Sequence, residues 1–387
     1  MKKFLSLVLV AAMSLSLLVG CGGNAASGSG EAASTWKFGG IGPVTGGAAV
    51  YGIAVQNGIQ IAVDEINAAG GINGVQIEFN FQDDEHDAEK AINAYNTLKD
   101  WGMNILVGNV TSAPCVAVAA ETANDHMFQL TPSGSSTDCI LNDNVFQVCF
   151  TDPNQGVGSA QYIGSNALAT KVAVIYNSSD VYSSGIYERF KEEAANQPFE
   201  IVAETSFTDD SKTDFTVQLQ QAKDAGAELV FLPIYAQEAS LVLTQAAAMD
   251  FAPLFFGCDG LDGVLAIEGF DTSLAEGVVL LTPFVADAED ERTQAFVSTY
   301  QERYGEVPNQ FAADAYDAVY VIKAAIEQSG ATPEDGVAGI CDKLVAAMTE
   351  ITVDGLTGEG MTWAATGEVS KQPKAMVIEN GVYTNFQ

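Results

Sequence analysis

From residue 37 onward, short apolar runs alternate with amphipathic segments, and this alternation limits the possible folds more than any other feature of the chain. A strand covered on both faces reads as a continuous apolar run, and joining two such strands in parallel takes a crossover helix, so the pattern predicts α/β architecture with parallel-rich sheets. Strands are expected at 37–41, 75–81, 105–108, 127–131, 145–150, 171–176, 201–207, 229–234, 254–257 and 278–282. Between the first two, Val55, Ile59, Ala62, Val63 and Ile66 recur at helical spacing until Gly70 and Gly71 stop the helix. The roughly 350 residues past the N-terminal leader exceed what one compact core holds, so two doubly wound lobes are expected rather than one oversized sheet.

The N-terminus has a different character. Lys2 and Lys3 precede an apolar run over residues 4–18, and Leu18-Val19-Gly20-Cys21 follows. That run is shorter than the roughly 20 residues a membrane-spanning helix needs, and the motif resembles the lipobox of bacterial export signals. Residues 1–20 are therefore expected to be a signal peptide, with Cys21 as the lipidation site anchoring an extracytoplasmic protein to the cell membrane. Residues 21–35, rich in Gly, Ser and Ala, are expected to be a flexible linker.

Charge and composition remove several function classes. A net charge of -34 with only 16 Lys plus Arg opposes nucleic acid or an anionic lipid surface as partner. Beyond Cys21, five cysteines remain, an odd number, with Cys115–Cys149 the one candidate bridge. With only His86 and His126, no CxxC and no calcium-loop pattern, no metal is expected, and Asp83 to Asp87 reads as a solvated acidic loop. The glycines at 40, 42, 46 and 47 do not have the spacing of a dinucleotide fingerprint, and no GxSxG occurs, so neither a cofactor nor an enzyme is expected.

In open α/β sheets ligands sit beyond the carboxyl ends of the strands, where helix N-termini expose free N–H groups. Ser112, after the third strand, could cap the next helix or receive a ligand carboxylate. Gly134 and Ser135 hold the equivalent place after the fourth strand, Gly134 allowing close backbone approach. Asp259 could pair with a ligand ammonium, and Tyr51, Tyr182 and Tyr235 could wall a pocket with their rings.

Gly42-Pro43, Gly46, Tyr51-Gly52, Gly58 and the block from Ile66 to Ile77 together resemble the opening of type I solute-binding proteins, nearest the leucine/isoleucine/valine-binding branch. The match continues through Thr111-Ser112, Pro132 to Ser135, Asp180 to Gly185, Gly257 to Gly260 and Gln310 to Tyr316. It implies the type I periplasmic binding protein fold: two Rossmann-like lobes joined by a three-strand hinge, closing on ligand like a flytrap. Lobe 1 would take residues 36–152 plus 283–356, and lobe 2 residues 153–282 plus 357–387. Carried over residue by residue, Ser112, Gly134 and Ser135 would hold an amino acid's carboxylate, Tyr182, Tyr235 and Asp259 would complete the cage, and Tyr51 would lie near the ligand side chain. Several family members have Glu where Asp259 stands, and the small first-lobe disulfide has no counterpart here. The expectation is a monomeric solute-binding subunit of an ABC transporter, carrying a branched-chain or hydrophobic amino acid to permease subunits. A sensory protein, or a binder of an amide or urea-like solute, remains open on the same fold.

Overall fold

A computed structural model describes residues 34–386. The expected signal peptide, the lipidation site Cys21 and most of the linker lie outside the described residues. All ten expected strands form, their ends displaced by at most three residues.

The first lobe is built from β1 (Trp36–Gly42), α1 (Ala49–Ala68), β2 (Ile77–Asp83), α2 (Ala88–Trp101), β3 (Ile105–Gly108), α3 (Ser112–Asp125), β4 (Gln129–Thr131) and β5 (Val145–Gln147). Its five strands are all parallel in the order β2-β1-β3-β4-β5. The second lobe continues with α4 (Asp152–Ser165), β6 (Lys171–Asn177), α5 (Val181–Ala194), β7 (Glu200–Phe207), α6 (Thr216–Asp224), β8 (Leu229–Leu232), α7 (Ala236–Ala248), β9 (Leu254–Gly257) and β10 (Val279–Thr282). These strands are again parallel and run β7-β6-β8-β9-β10, the same order as the first lobe.

The order reverses between β1 and β3 in one lobe and between β6 and β8 in the other, which creates a crevice at the carboxyl ends of each sheet. The segments leaving those ends carry Tyr51, Ser112 and Ser135 from one lobe and Tyr182, Tyr235 and Asp259 from the other.

After β10 the chain returns to the first lobe as α8 (Glu291–Tyr304), α9 (Gln310–Ser329) and α10 (Gly336–Met348). Helix α9 lies along α1, whose Val55, Ile59, Ala62 and Ile66 are buried at helical spacing; each buried Val or Ile contributes about 1.5–3 kcal/mol relative to exposure. The two helices meet at Gly58, where a Cβ would lie 2.1 Å from the Ala312 carbonyl oxygen, so any larger residue would push them apart.

The chain then crosses a third time, later than the sequence implied. Residues 357–369, expected with the second lobe, hydrogen-bond to the first: the Trp363 indole N–H donates to the Gln147 carbonyl at 2.7 Å, and the Gln147 N–H donates to the Gly367 carbonyl at 2.9 Å. The buried Met361 and Trp363 side chains draw this segment in before the chain leaves. It ends in β11 (Lys374–Glu379) and β12 (Val382–Asn385), an antiparallel hairpin added to β10 that the sequence reading did not anticipate. The candidate Cys115–Cys149 bridge does not form; among the described residues all five cysteines are buried free thiols, packed as small apolar groups.

Beside the third crossing, Lys371 Nζ donates to Asp314 Oδ1 and to the Thr357 hydroxyl, both at 2.6 Å, with side-chain exposures of 1% for Lys371 and 3% for Asp314. Asp317 accepts from the Leu356 and Thr357 N–H groups. Burial pushes both carboxyls up, and Lys371 is the cation that holds them down. Lys371→Met is expected to destabilise the fold by about 3–5 kcal/mol, because it strands two carboxyls in the interior. Urea denaturation checks this; an unshifted midpoint would refute the assignment.

Candidate functional site

The two crevices face each other, and Tyr51, Ser112, Ser135, Tyr182, Tyr235 and Asp259 converge on one interlobe cavity. Their side chains close in until only about 10 Å³ is left between them, space for about one water. A larger solute therefore has to part these walls.

One wall is the start of α3. Thr111 stands at its N-cap position in extended conformation, yet its side chain caps no amide, because Oγ1 lies 2.8 Å from His86 Nδ1. Ser112 is the first helical residue rather than a cap, and its Oγ accepts the Ser136 N–H at 3.2 Å. The Ser133 hydroxyl donates to the Val110 carbonyl at 2.7 Å, tying the loop after β4 to the loop after β3. A helix N-terminus without a side-chain cap, flanked by hydroxyls, attracts an anion through its first-turn amides and its dipole.

The opposite wall carries Asp259. Its N–H donates to Gln155 Oε1 at 3.1 Å and its carbonyl accepts from Gln310 Nε2 at 2.9 Å, so side chains at the starts of α4 and α9 fix the backbone. The Tyr182 hydroxyl donates to Asp259 Oδ1 at 2.7 Å and accepts the Gly260 N–H at 2.9 Å. Burial pushes the Asp259 carboxyl up to about 7, against the lowering by these hydrogen bonds. Among the described residues lining the cavity none is basic, so no protein cation repays that desolvation.

Aromatic rings supply the remaining walls. Tyr182 stacks on Tyr235 with centroids 4.7 Å apart, and Tyr51 meets Phe311 edge-on at 4.6 Å. The Tyr51 hydroxyl donates to the Gly260 carbonyl and accepts the Ala236 N–H, each at 2.6 Å. Both partners belong to the other lobe, so this hydroxyl ties the lobes together while the ring faces the cavity.

Gly134 departs from its expected role. It does not line the cavity: its N–H goes to Thr131 Oγ1 at 2.7 Å, and its carbonyl accepts from Gln147 Nε2 at 2.6 Å. The glycine is needed for packing, since a Cβ there would lie 2.8 Å from Thr131 Oγ1 and 2.9 Å from Cys115 Sγ.

The loop from Asp83 to Asp87 is also more than a solvated turn. Asp84 is fully buried and accepts the His86 N–H at 3.0 Å, which turns the imidazole to Thr111 and sets it edge-on to Tyr235 with ring centroids 5.3 Å apart. Burial lowers His86 to about 4, so the ring is neutral at physiological pH. The sequence reading missed His86, Gln155 and Phe311; Phe311 lies in the Gln310 to Tyr316 stretch, whose likeness to the family was the only available signal. Among the described residues no group of His, Cys, Asp or Glu is arranged to hold a metal.

Two parallel α/β lobes with the same strand order, meeting at a cavity that sets a helix N-terminus against a carboxyl without a protein cation, define a two-lobed solute-binding protein. The family model described as periplasmic binding protein matches residues 35–381. The Leu/Ile/Val-binding protein homolog 3 of Brucella melitensis is 30% identical, the match covering 85% of this chain and 87% of that one. The leucine-, isoleucine-, valine-, threonine-, and alanine-binding protein of Pseudomonas aeruginosa is 27% identical over 79% of this chain and 82% of its own. Among solved structures, the branched-chain amino acid transporter substrate binding protein LivJ of Streptococcus pneumoniae, in complex with isoleucine, superposes with a TM-score of 0.82 at 29% identity, covering 90% of this chain and 98% of that one. The chain belongs to the periplasmic binding protein family, as a type I member of the leucine/isoleucine/valine-binding branch.

Because Gly134 acts through packing, Gly134→Ala is expected to cost about 1–3 kcal/mol of stability, and adding Cys115→Ala should recover part of it. Chemical denaturation of both single variants and the double variant measures the coupling, and strict additivity would contradict the assigned contact.

Proposed function

We propose that this protein is the extracytoplasmic solute-binding subunit of an ABC transporter, taking a branched-chain or similar hydrophobic amino acid between its lobes and delivering it to membrane permease subunits. The observation that carries the reading is the opposition of Asp259 to the N-terminus of α3 across one cavity. An α-amino acid presents its ammonium and carboxylate a few ångströms apart, so each end meets its complement only when both lobes take part. Ser112 and Ser135 with the α3 amides would take the carboxylate, Asp259 and Tyr182 the ammonium, and Tyr51, Tyr235 and Phe311 would surround an apolar side chain. The names of the relatives support the ligand class. The lipobox-like motif at Cys21 supports a lipid anchor holding a monomer near its permease.

The hinge role follows from the three crossings. The Tyr51 hydroxyl makes its interlobe bonds without help from a solute, and the ligand adds the charge pairing, so occupancy is read as closure.

Calorimetry with a panel of amino acids tests the reading. Leucine, isoleucine or valine is expected to bind, and Asp259→Asn should weaken binding by about 2–5 kcal/mol, a loss of about thirtyfold or more. If a neutral amide binds instead, and Asp259→Asn leaves its affinity unchanged, the amino-acid assignment fails.

Proton linkage gives a separate check. Asp259 sits near 7 without a cation and should fall once an ammonium pairs with it, so binding is expected to release close to one proton near pH 6 and almost none near pH 8. The dependence of the calorimetric heat on buffer ionisation enthalpy measures this release. Asp259→Asn should abolish it, and a release that survives in that variant would assign the proton elsewhere.

A further inference from the structure

A second cavity at the lobe junction is far larger than the one between Asp259 and α3. A groove of about 1040 Å³ runs along one side of the lobe junction, bordered by Val50 and Ala54 of α1, by the hinge residue Phe284, and by Leu265 and Tyr383 of the second lobe. That volume is at the upper end of the range for sites that enclose a drug-sized molecule. Tyr51 and Phe311 line the small cavity but not the groove, so the two spaces are walled separately.

Three features of the groove point to one kind of occupant. Its rim holds Ile53, Val307 and Val382, three of the six large apolar side chains exposed among the described residues, so the apolar exposure is concentrated here rather than scattered. Its charged lining is exclusively acidic among the described residues: Asp262, Glu268, Asp287 and Glu306 contribute, with no Lys, Arg or His. Asp262, only 4% exposed, accepts the Gln310 N–H at Oδ2, 2.8 Å away, and Oδ1 is sealed beneath the groove wall without a well-formed hydrogen bond, so no protein cation compensates its charge there.

We infer that this groove is a second ligand site, selective for an amphipathic organic cation whose alkyl or arylalkyl body lies on the apolar walls and whose ammonium is drawn by the exclusively acidic charged lining. The assignment is independent of the amino-acid reading, since it uses none of the residues given to that ligand. Because both lobes and the hinge strand line the groove, an occupant there touches the two bodies that must move, and it biases their equilibrium by its differential affinity for the two arrangements.

Octylammonium is the probe, with octanoate and octanol as matched controls, titrated calorimetrically into the full chain with and without saturating isoleucine. Octylammonium is expected to bind one to one in both conditions, and octanoate and octanol at least about tenfold more weakly. Ala266→Trp, an exposed rim position, should fill the groove and weaken octylammonium by about tenfold or more in a variant that still binds isoleucine. Asp262→Asn should also weaken it, and Ala266→Trp keeps the test decisive if that variant does not fold. The inference is overturned if octylammonium gives no saturable heat, if octanoate binds equally well, if isoleucine displaces octylammonium one for one, or if Ala266→Trp has no effect on it. A failure of isoleucine to bind, with octylammonium still bound and still sensitive to Ala266→Trp, would overturn the proposed function and leave the groove assignment standing.

Discussion

Asp259 is removed from water by Tyr182, Gly260, Gln155 and Gln310 and receives no protein cation in return. Burial on those terms is unfavourable, and its physical effect is to hold the carboxyl near 7, poised to ionise when a cation arrives. Much of the surrounding structure serves to keep that carboxyl in place: the Tyr182 ring, stacked on Tyr235, fixes the hydroxyl that donates to it, and the two glutamines pin its backbone from either lobe. The same residue is thereby the least comfortable group in the cavity and the one with most to gain from a ligand ammonium.

Most of the architecture was legible because the signal was strong and local. Continuous apolar runs at ten places specified ten strands, and the amphipathic spacing of α1 gave its buried face. What was lost lay at the chain's end. The hairpin of β11 and β12 turns at Asn380-Gly381, both with positive φ, the pairing that tight hairpins favour. That dipeptide was readable, but it sits in a tail without an established strand beside it. The late third crossing was not readable at all, since Trp363 is held by a contact with Gln147, more than two hundred residues away in sequence.

The site divided along similar lines. Ser112, Ser135, Tyr182, Tyr235, Asp259 and Tyr51 were identifiable because each follows a strand at the carboxyl end of its sheet, and the structure gathers them at one cavity. Gly134 shares that place in sequence but turns its N–H inward to Thr131, a choice made by packing against Cys115 that no local pattern encodes. His86 was hidden for the opposite reason. Four acidic neighbours made its segment look solvated, while the buried Asp84 beneath it orders the turn.

The repeated crossing of the chain between lobes has a consequence for how the molecule is assembled. When synthesis reaches Thr282, every parallel strand of both sheets exists, yet α9, the helix that covers α1, has not been made. The apolar side of α1 waits uncovered while the whole second lobe is produced, and the α1–α9 contacts span more than two hundred residues of sequence. The first lobe is therefore completed only after the second has been made, and the nascent chain is expected to consolidate slowly until α9 emerges.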